Sequence, residues 1–323
     1  GKRHPLEVII YDDQSQPTTG VLAVTRLIEE DRVAAIICCA TSPVSIAAVD
    51  VVTRAGVPMI STASSQAITH PPEERQWVFK PAWDNDQVVE ALLRHFKKKG
   101  YSRIGIMSVN NEFGQSGKIA FEQLSPSYGI QLVLNETFNL GVTDLTPQVL
   151  KLRSAGADVL VLYANINETV VALKNLHDLG ISVPVYVTNA VGTPAFVEAA
   201  GNLAEGVFVQ TGKLQVYSDL PLDDPQRSTI LSFVDLYRNR YGLEPPSFAG
   251  VAHDAFWLVV RAMEKVGTSR SGIRDAIEGT NNFVGVTGVL SFSPAEHTGF
   301  RTRDMVIAVI QNGKFRLYEV VGE

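Results

Sequence analysis

Val57-Pro58-Met59-Ile60-Ser61-Thr62-Ala63-Ser64-Ser65-Gln66-Ala67-Ile68-Thr69 is a short apolar run that stops abruptly in a cluster of hydroxyls. Val57, Met59 and Ile60 suit a strand covered on both faces, as in a parallel sheet. Ser61, Thr62, Ser64 and Ser65 then supply hydroxyls and backbone N–H groups where a following helix would begin. Such a place either caps a helix or holds an anion or a carboxylate. The stretch decides the fold because its grammar, an apolar strand, a polar exit and an amphipathic helix, recurs along the chain.

Upstream, Leu6-Glu7-Val8-Ile9-Ile10-Tyr11 reads as a strand and Asp12-Asp13-Gln14-Ser15-Gln16-Pro17 as a polar turn. A helix with Val21, Val24, Leu27 and Ile28 on one face follows. Ala34-Ala35-Ile36-Ile37-Cys38-Cys39 is a second apolar run, leaving through Ala40-Thr41-Ser42-Pro43 into a helix that stops at Gly56. Downstream lies Trp77-Val78-Phe79, and after Pro81 the pattern restarts. Val88, Leu92 and Phe96 make a helix face ending at Gly100, and residues 103–109 form a strand whose exit is Asn110-Asn111-Glu112-Phe113-Gly114. Further strand-and-helix units begin at residues 132–138, 159–163 and 185–189. Two long helices are expected around residues 231–241 and 252–266, after a Pro- and Asp-rich crossing at 217–225. The end is β-rich, with strands at 284–292, 305–310 and 315–320 and a hairpin turn at Asn312-Gly313. Strands that alternate with helices and read as unbroken apolar runs indicate a parallel α/β sheet.

The 323 residues are enough for two lobes, since single cores stop growing near ~250 to 300 residues. A hydrophobic fraction of 45% and a charged fraction of 19% are those of an ordinary globular protein. A net charge of -6 without a basic stripe argues against nucleic acid as a partner. The compact basic run Lys97-Lys98-Lys99 falls in the last turn of a helix, where it complements the dipole. No apolar segment approaches the ~20 residues needed to span a bilayer. Side chains of adjacent strand residues point to opposite faces, so Cys38 and Cys39 are expected as buried thiols.

In open α/β sheets, ligands sit outside the carboxyl ends of strands. Here those exits are polar but, apart from Glu112, uncharged, which suits hydrogen-bonded recognition of a small molecule more than acid/base or metal chemistry. The six histidines are scattered without metal spacing. Gly114-Gln115-Ser116-Gly117-Lys118 lacks the first glycine of a phosphate loop, and Ile119 follows where Ser or Thr is needed. Asp12-Asp13 reads as a turn, and His253-Asp254 as a structural part of a helix. Neither an enzyme nor a cofactor is expected.

Taken together and in order, Pro5-Leu6-Glu7-Val8-Ile9-Ile10-Tyr11-Asp12-Asp13-Gln14-Ser15, Val57-Pro58-Met59-Ile60-Ser61, Asn111-Glu112-Phe113-Gly114, His253-Asp254-Ala255 and Phe283-Val284-Gly285-Val286-Thr287-Gly288 carry a resemblance. The chain resembles the type I periplasmic binding proteins, in particular the branched-chain amino-acid (Leu/Ile/Val) binding subfamily of ABC transporters. That implies an α/β fold of two Rossmann-like lobes with a ligand cleft between them, joined by three crossings and closed by a hinge. Residues 1–81 plus 216–290 would form the N-terminal lobe, and 82–215 plus 291–323 the C-terminal lobe. Family members begin with a strand and a helix ahead of Pro5; these are missing here, so either the chain is trimmed at its start or the N-terminal lobe lacks part of its sheet.

The resemblance further implies a periplasmic or membrane-associated extracellular solute-binding protein, monomeric, partnered by an ABC transporter permease. Its ligand would be an amino acid or a related small carboxylate. The same fold also serves ligand-sensing domains of amide- or amino-acid-responsive regulators and receptors, which is the alternative function. Carried over by position, the first lobe's ligand contacts are Thr41, Ser42, Thr62, Ala63 and Ser64, whose N–H groups and hydroxyls would bind a carboxylate. The second lobe would contribute Phe113, Asn165, Ile166 and Asn189, and the returning segment Phe248. Asn189 stands where amino-acid binders place an acidic residue. Unless Glu112 or Glu168 substitutes, the expected ligand is therefore a carboxylate without an amino group, such as an aromatic acid.

Overall fold

The computed structural model describes residues 4–322, and it is a mixed α/β chain built on two separate parallel-type sheets. The smaller contains β1 (Ile36–Ile37), β2 (Met59–Ile60) and β3 (Val78–Phe79), all parallel, in that order. Val57, Met59, Ile60, Val78 and Phe79 are completely buried, as strands covered on both faces require. Helices α1 (Pro17–Glu29) and α2 (Ser42–Ala55) pack on each other beside this sheet. Gly56 ends α2 in the left-handed conformation, with φ 61°.

The larger sheet has seven strands. Its parallel part comprises β4 (Arg103–Val109), β5 (Gln131–Phe138), β6 (Val159–Tyr163), β7 (Val185–Val187) and β8 (Phe208–Gly212). β11 (Met305–Gln311) and β12 (Lys314–Val320) extend it antiparallel, giving the order β12-β11-β8-β7-β6-β4-β5. Asn312 and Gly313 turn between these last two strands with φ of 52° and 68°, which suits a type I′ hairpin. Helices α4 (Glu112–Leu124), α5 (Thr146–Ala155), α6 (Ile166–Asp178) and α7 (Pro194–Ala200) connect the parallel strands and, with α3 (Asn85–Lys99), which enters from the small sheet, cover both faces. α3 begins in a capping box, Asp84 with Gln87, and ends with Lys97, Lys98 and Lys99 in its last turn.

The chain leaves the large sheet after β8 and runs through α8 (Arg227–Tyr241), α9 (Ser247–Val266) and α10 (Arg270–Glu278). α9 touches β1 of the small sheet. A two-stranded ribbon follows, β9 (Phe283–Val284) with β10 (Val289–Leu290), before the return to the large sheet in β11. The chain thus passes between the two sheet systems three times: after β3, after β8 and after β10.

Four expectations need correction. Residues 6–11 form no strand: Leu6, Val8 and Ile10 are 49%, 62% and 84% exposed, and no backbone ladder pairs the segment among the described residues. Strand propensity is realised only against a neighbouring strand. Residues 284–292 are not one strand, because the Asp254 carboxylate takes the N–H groups of Val286 and Thr287 (2.9 and 2.7 Å) and turns the chain between β9 and β10. The hydroxyl cluster at 61–65 opens only a 3-10 turn, Gln66–Ile68, rather than a helix. β1 ends at Ile37, so strand alternation does not reach Cys38 and Cys39, which are joined in a vicinal disulfide.

One polar cluster is buried within the larger lobe. His95 on α3 is 1% exposed, with Nδ1 3.0 Å from Glu319 and Nε2 2.9 Å from the Tyr186 hydroxyl. A neutral ring fits both contacts: Nδ1–H donates to the carboxylate and Nε2 accepts from Tyr186. Burial lowers the His95 pKa despite the opposing pull of Glu319. The unfolded chain therefore binds a proton that the native state refuses, and this share of stability is lost as pH falls through the ordinary histidine range near ~6.5. Replacing His95 with Gln should shrink the drop in melting temperature between about pH 7.5 and about pH 5.5, read by circular dichroism.

Candidate functional site

The three exits of the small sheet are tied into one polar shelf. The Thr62 and Ser45 hydroxyls both donate to the Cys39 carbonyl at 3.1 Å, and the Ser45 and Ser61 hydroxyls meet at 2.9 Å. Ser65 N–H donates to the Ser42 hydroxyl (3.2 Å), joining the second exit to the start of α2. At the third exit Lys80, wholly buried, donates to the Ser65 carbonyl (3.0 Å) and pairs with Asp84. A cluster of hydroxyls therefore spends much of its capacity on itself, as buried polar groups must.

What remains free is informative. Among the described residues, the N–H groups of Thr62 and Ser64 donate to no protein acceptor, and the Ser64 hydroxyl has no protein partner. The Thr41 hydroxyl is buried without a partner at the N-cap of α2. The first N–H groups of α2 add the positive end of a helix of 14 residues. Donors without acceptors, at a helix N-terminus, can hold a carboxylate.

Asn85 connects this shelf to the other lobe. Its backbone N–H donates to the Ser64 carbonyl (2.9 Å), its Nδ2 donates to the Phe113 carbonyl (3.2 Å), and its Oδ1 accepts from the Tyr163 hydroxyl (2.6 Å). The Phe113 and Tyr163 rings lie 4.7 Å apart. Gly117 gives Tyr163 its place, since a Cβ there would come within 2.5 Å of the ring. Gly114 is equally constrained, because a Cβ would lie 1.9 Å from the Val109 carbonyl oxygen. Burial pushes the Tyr163 pKa well up, with nearby Asp86 and Asp84 adding to it, so the phenol stays protonated and donates.

Asn85 joins Ser64 to Phe113, while Ser42, Thr62 and Ala63 belong to the same shelf through Ser65, Cys39 and Ser61. Thr41 adjoins Ser42, but Ser42 itself is already an acceptor for Ser65. Asn165 is the exposed N-cap of α6 and Ile166 its half-buried first residue, following Tyr163 by two and three positions. Asn189 is 3% exposed, and among the described residues its Oδ1 has no partner. Phe248 is half-buried near the start of α9, and no hydrogen bond or ring contact joins it to the others among the described residues. Sequence reasoning missed Asn85 and Tyr163. The capping pattern Asp84-Asn85-Asp86-Gln87 directly after β3 marked a further polar exit.

Glu168 is 2% exposed and accepts the Gly141 N–H at 2.9 Å, so one oxygen is committed to that loop. Glu112 is exposed in the first turn of α4. Among the described residues, no three His, Cys, Asp or Glu side chains gather to hold a metal ion. No described helix is long and apolar enough to cross a membrane.

A family model described as periplasmic binding protein matches residues 1–314. The chain belongs to the periplasmic binding protein family. Leu/Ile/Val-binding protein homolog 3 of Brucella melitensis is 25% identical over 207 residues, which are 62% of this chain but only 55% of that protein. Homolog 7 of Brucella abortus is 23% identical over 292 residues, 87% of this chain and 73% of the relative. Among solved structures, an extracellular ligand-binding receptor from Rhodopseudomonas palustris aligns with a TM-score of 0.90 at 26% identity, covering 95% of this chain and 88% of the other. LivJ, the branched-chain amino acid transporter substrate binding protein of Streptococcus pneumoniae, in complex with isoleucine, aligns at 0.83 and 24% identity over 97% of this chain and 87% of its own. The two-lobed α/β fold is that of type I periplasmic binding proteins, a family whose members work outside the cytoplasm.

The Asn85 junction yields a quantitative expectation. Asn85→Ala would strand the Tyr163 hydroxyl in the interior, costing about 1–3 kcal/mol beyond any loss at Ser64. Tyr163→Phe should remove most of that extra cost. A denaturant double-mutant cycle on the two positions should therefore show coupling rather than additivity.

Proposed function

We propose that the chain is an extracytoplasmic solute-binding protein serving an ABC transporter, and that it captures a small carboxylate by closing its two lobes. The observation that carries this reading is the set of unpaired donors at Thr41, Thr62 and Ser64, with Ser64 joined through Asn85 to the Phe113 and Tyr163 rings. The shelf takes the carboxylate through backbone N–H groups and the Ser64 hydroxyl. Phe113 and Ile166 face the ligand's apolar part, Asn165 and Asn189 offer neutral polar groups, and Phe248 closes the side.

The ligand carries no α-ammonium in this reading. Asn189 is neutral, and Glu168, which gives one oxygen to Gly141, has its other oxygen, Oε2, buried without a partner among the described residues. Glu112 is exposed, where an ion pair would be screened by solvent. An ammonium would have only the Glu168 Oε2 to pair with, and a carboxylate with an aromatic body avoids the cost of burying an under-paired charge. The two rings in contact at the junction favour the aromatic body.

Isothermal titration calorimetry with leucine and with aromatic acids such as 4-hydroxybenzoate tests this directly. An aromatic acid should bind more tightly, and Ser64→Ala should weaken it about tenfold or more, the worth of a hydrogen bond to a charged group. Leucine binding far more tightly than every aromatic acid would overturn the ammonium-free assignment while leaving the transport role standing.

A further inference from the structure

The sequence holds a single Asn-Gly pair, Asn312-Gly313, and it forms the exposed turn between β11 and β12. Both backbone N–H groups of the turn go to one carboxylate. Asn312 N–H donates to Glu205 Oε2 at 2.9 Å, and Gly313 N–H donates to Glu205 Oε1 at 2.6 Å. Among the described residues the Asn312 side chain makes no hydrogen bond of its own. Glu205 is brought here by the segment leading into β8, where Gly206 N–H donates to the Ile310 carbonyl (2.9 Å) and Ile310 N–H to the Val207 carbonyl (3.0 Å). Further along β12 a second carboxylate, Asp219, accepts from Leu317 N–H and from the Arg316 side chain, each at 3.0 Å.

An asparagine followed by glycine carries a reaction of its own, because glycine has no Cβ to keep its nitrogen away from the preceding side-chain amide. The Gly313 nitrogen attacks Asn312 Cγ, and the new N–Cγ bond closes a cyclic imide. The Cγ–Nδ2 bond breaks, and Nδ2 leaves as ammonia with the proton that Gly313 has lost. Water then opens the imide at either carbonyl, giving Asp or its β-linked isomer at position 312. The attack requires the Gly313 nitrogen to give up its proton and turn toward Cγ. Glu205 opposes both. It holds that N–H in a charge-assisted hydrogen bond, and its negative charge disfavours a second negative charge forming beside it.

We propose that Asn312-Gly313 is a self-modification site, converting from amide to acid, and that the Glu205 carboxylate keeps it closed in the folded protein. The position of the turn gives the conversion a structural consequence. The β-linked product adds a carbon to the backbone of a turn that sets the register of β12 on β11. The Asp product places a second carboxyl group beside Glu205. β12 also supplies Glu319, which lies 3.0 Å from Nδ1 of the buried His95, so a loosened hairpin reaches the polar cluster inside the larger lobe. Glu205 therefore guards the covalent integrity of an edge on which that cluster depends. The inference is independent of which ligand the cleft takes.

Incubating the intact protein in mildly alkaline buffer, with mass mapping of the peptide that carries Asn312, reads the conversion as an amide turned to an acid. The comparison is between the natural chain and Glu205→Gln, each folded and each in concentrated urea. Glu205 is exposed and the Asp219 contact remains, so the variant keeps its fold. Folded Glu205→Gln should convert about tenfold faster or more, the worth of a hydrogen bond to a charged group. In urea the two chains should convert at the same rate, because the clamp exists only in the folded state. Equal rates in the folded proteins, a slower variant, or a difference that persists in urea would overturn the proposal.

Discussion

Three hydrogen bonds to Asn85 decide how the two lobes of this protein meet. The backbone N–H binds the carbonyl of Ser64, and the side chain binds Phe113 and Tyr163. Asn85 opens α3, whose N-terminal turn is anchored by the Asp84–Gln87 capping box, so the amide is carried by a rigid element. An Asn amide is suited to this because it offers donors and an acceptor from one short side chain. Asp at that position could not donate to the Phe113 carbonyl, and Ser could not reach both partners. The polar shelf of one lobe and the aromatic pair of the other are therefore linked through one residue.

Behind Asn85 lie buried charges, and their placement follows a rule. Lys80 with Asp84 follows β3, Lys213 with Asp224 follows β8, and Asp254 holds two backbone N–H groups in the turn that leads into β10. Burying an ion pair seldom stabilises a protein more than a well-packed apolar pair would, because desolvation offsets the attraction. Such groups instead select one geometry, since a slipped arrangement would leave a charge unpaired. At a passage between lobes that selectivity has a use. The chain can flex there only along paths that keep each pair intact, whereas apolar contacts would tolerate many.

Much of this was legible in the sequence, and the exceptions share a cause. Buried parallel strands announce themselves as unbroken apolar runs, so β4, β5, β6 and β11 stand where residues 103–109, 132–138, 159–163 and 305–310 were expected. The Asn312-Gly313 turn is dictated by backbone conformation alone. The failures occur where a distant group overrides local preference. Residues 6–11 have strand composition but no ladder partner, and residues 284–292 are bent by a carboxylate on α9 that lies about thirty positions earlier in the chain. In the candidate site, hydroxyls at strand exits were legible as polar. Which were already spent was not, because Ser42 is occupied by Ser65 and Thr62 by Cys39 through long-range contacts.

The neutral character of the exits has an energetic consequence for a protein that must exist both open and closed. On the proposed reading, the ligand's carboxylate is the one formal charge brought into the shelf, and it meets N–H groups and hydroxyls rather than a cation. Before the ligand arrives, those donors can be hydrated by water without leaving an unpaired buried charge. An Asp or Glu at position 189 would change this. A side chain 3% exposed would then bury a carboxylate in the closed, empty protein, and closure would depend on an incoming ammonium. With Asn189 that position makes no such demand, and Glu168 with its unpartnered Oε2 is the buried carboxylate that remains; on the proposed reading the acid end and the fit of the apolar body at Phe113 govern which solute holds the lobes together.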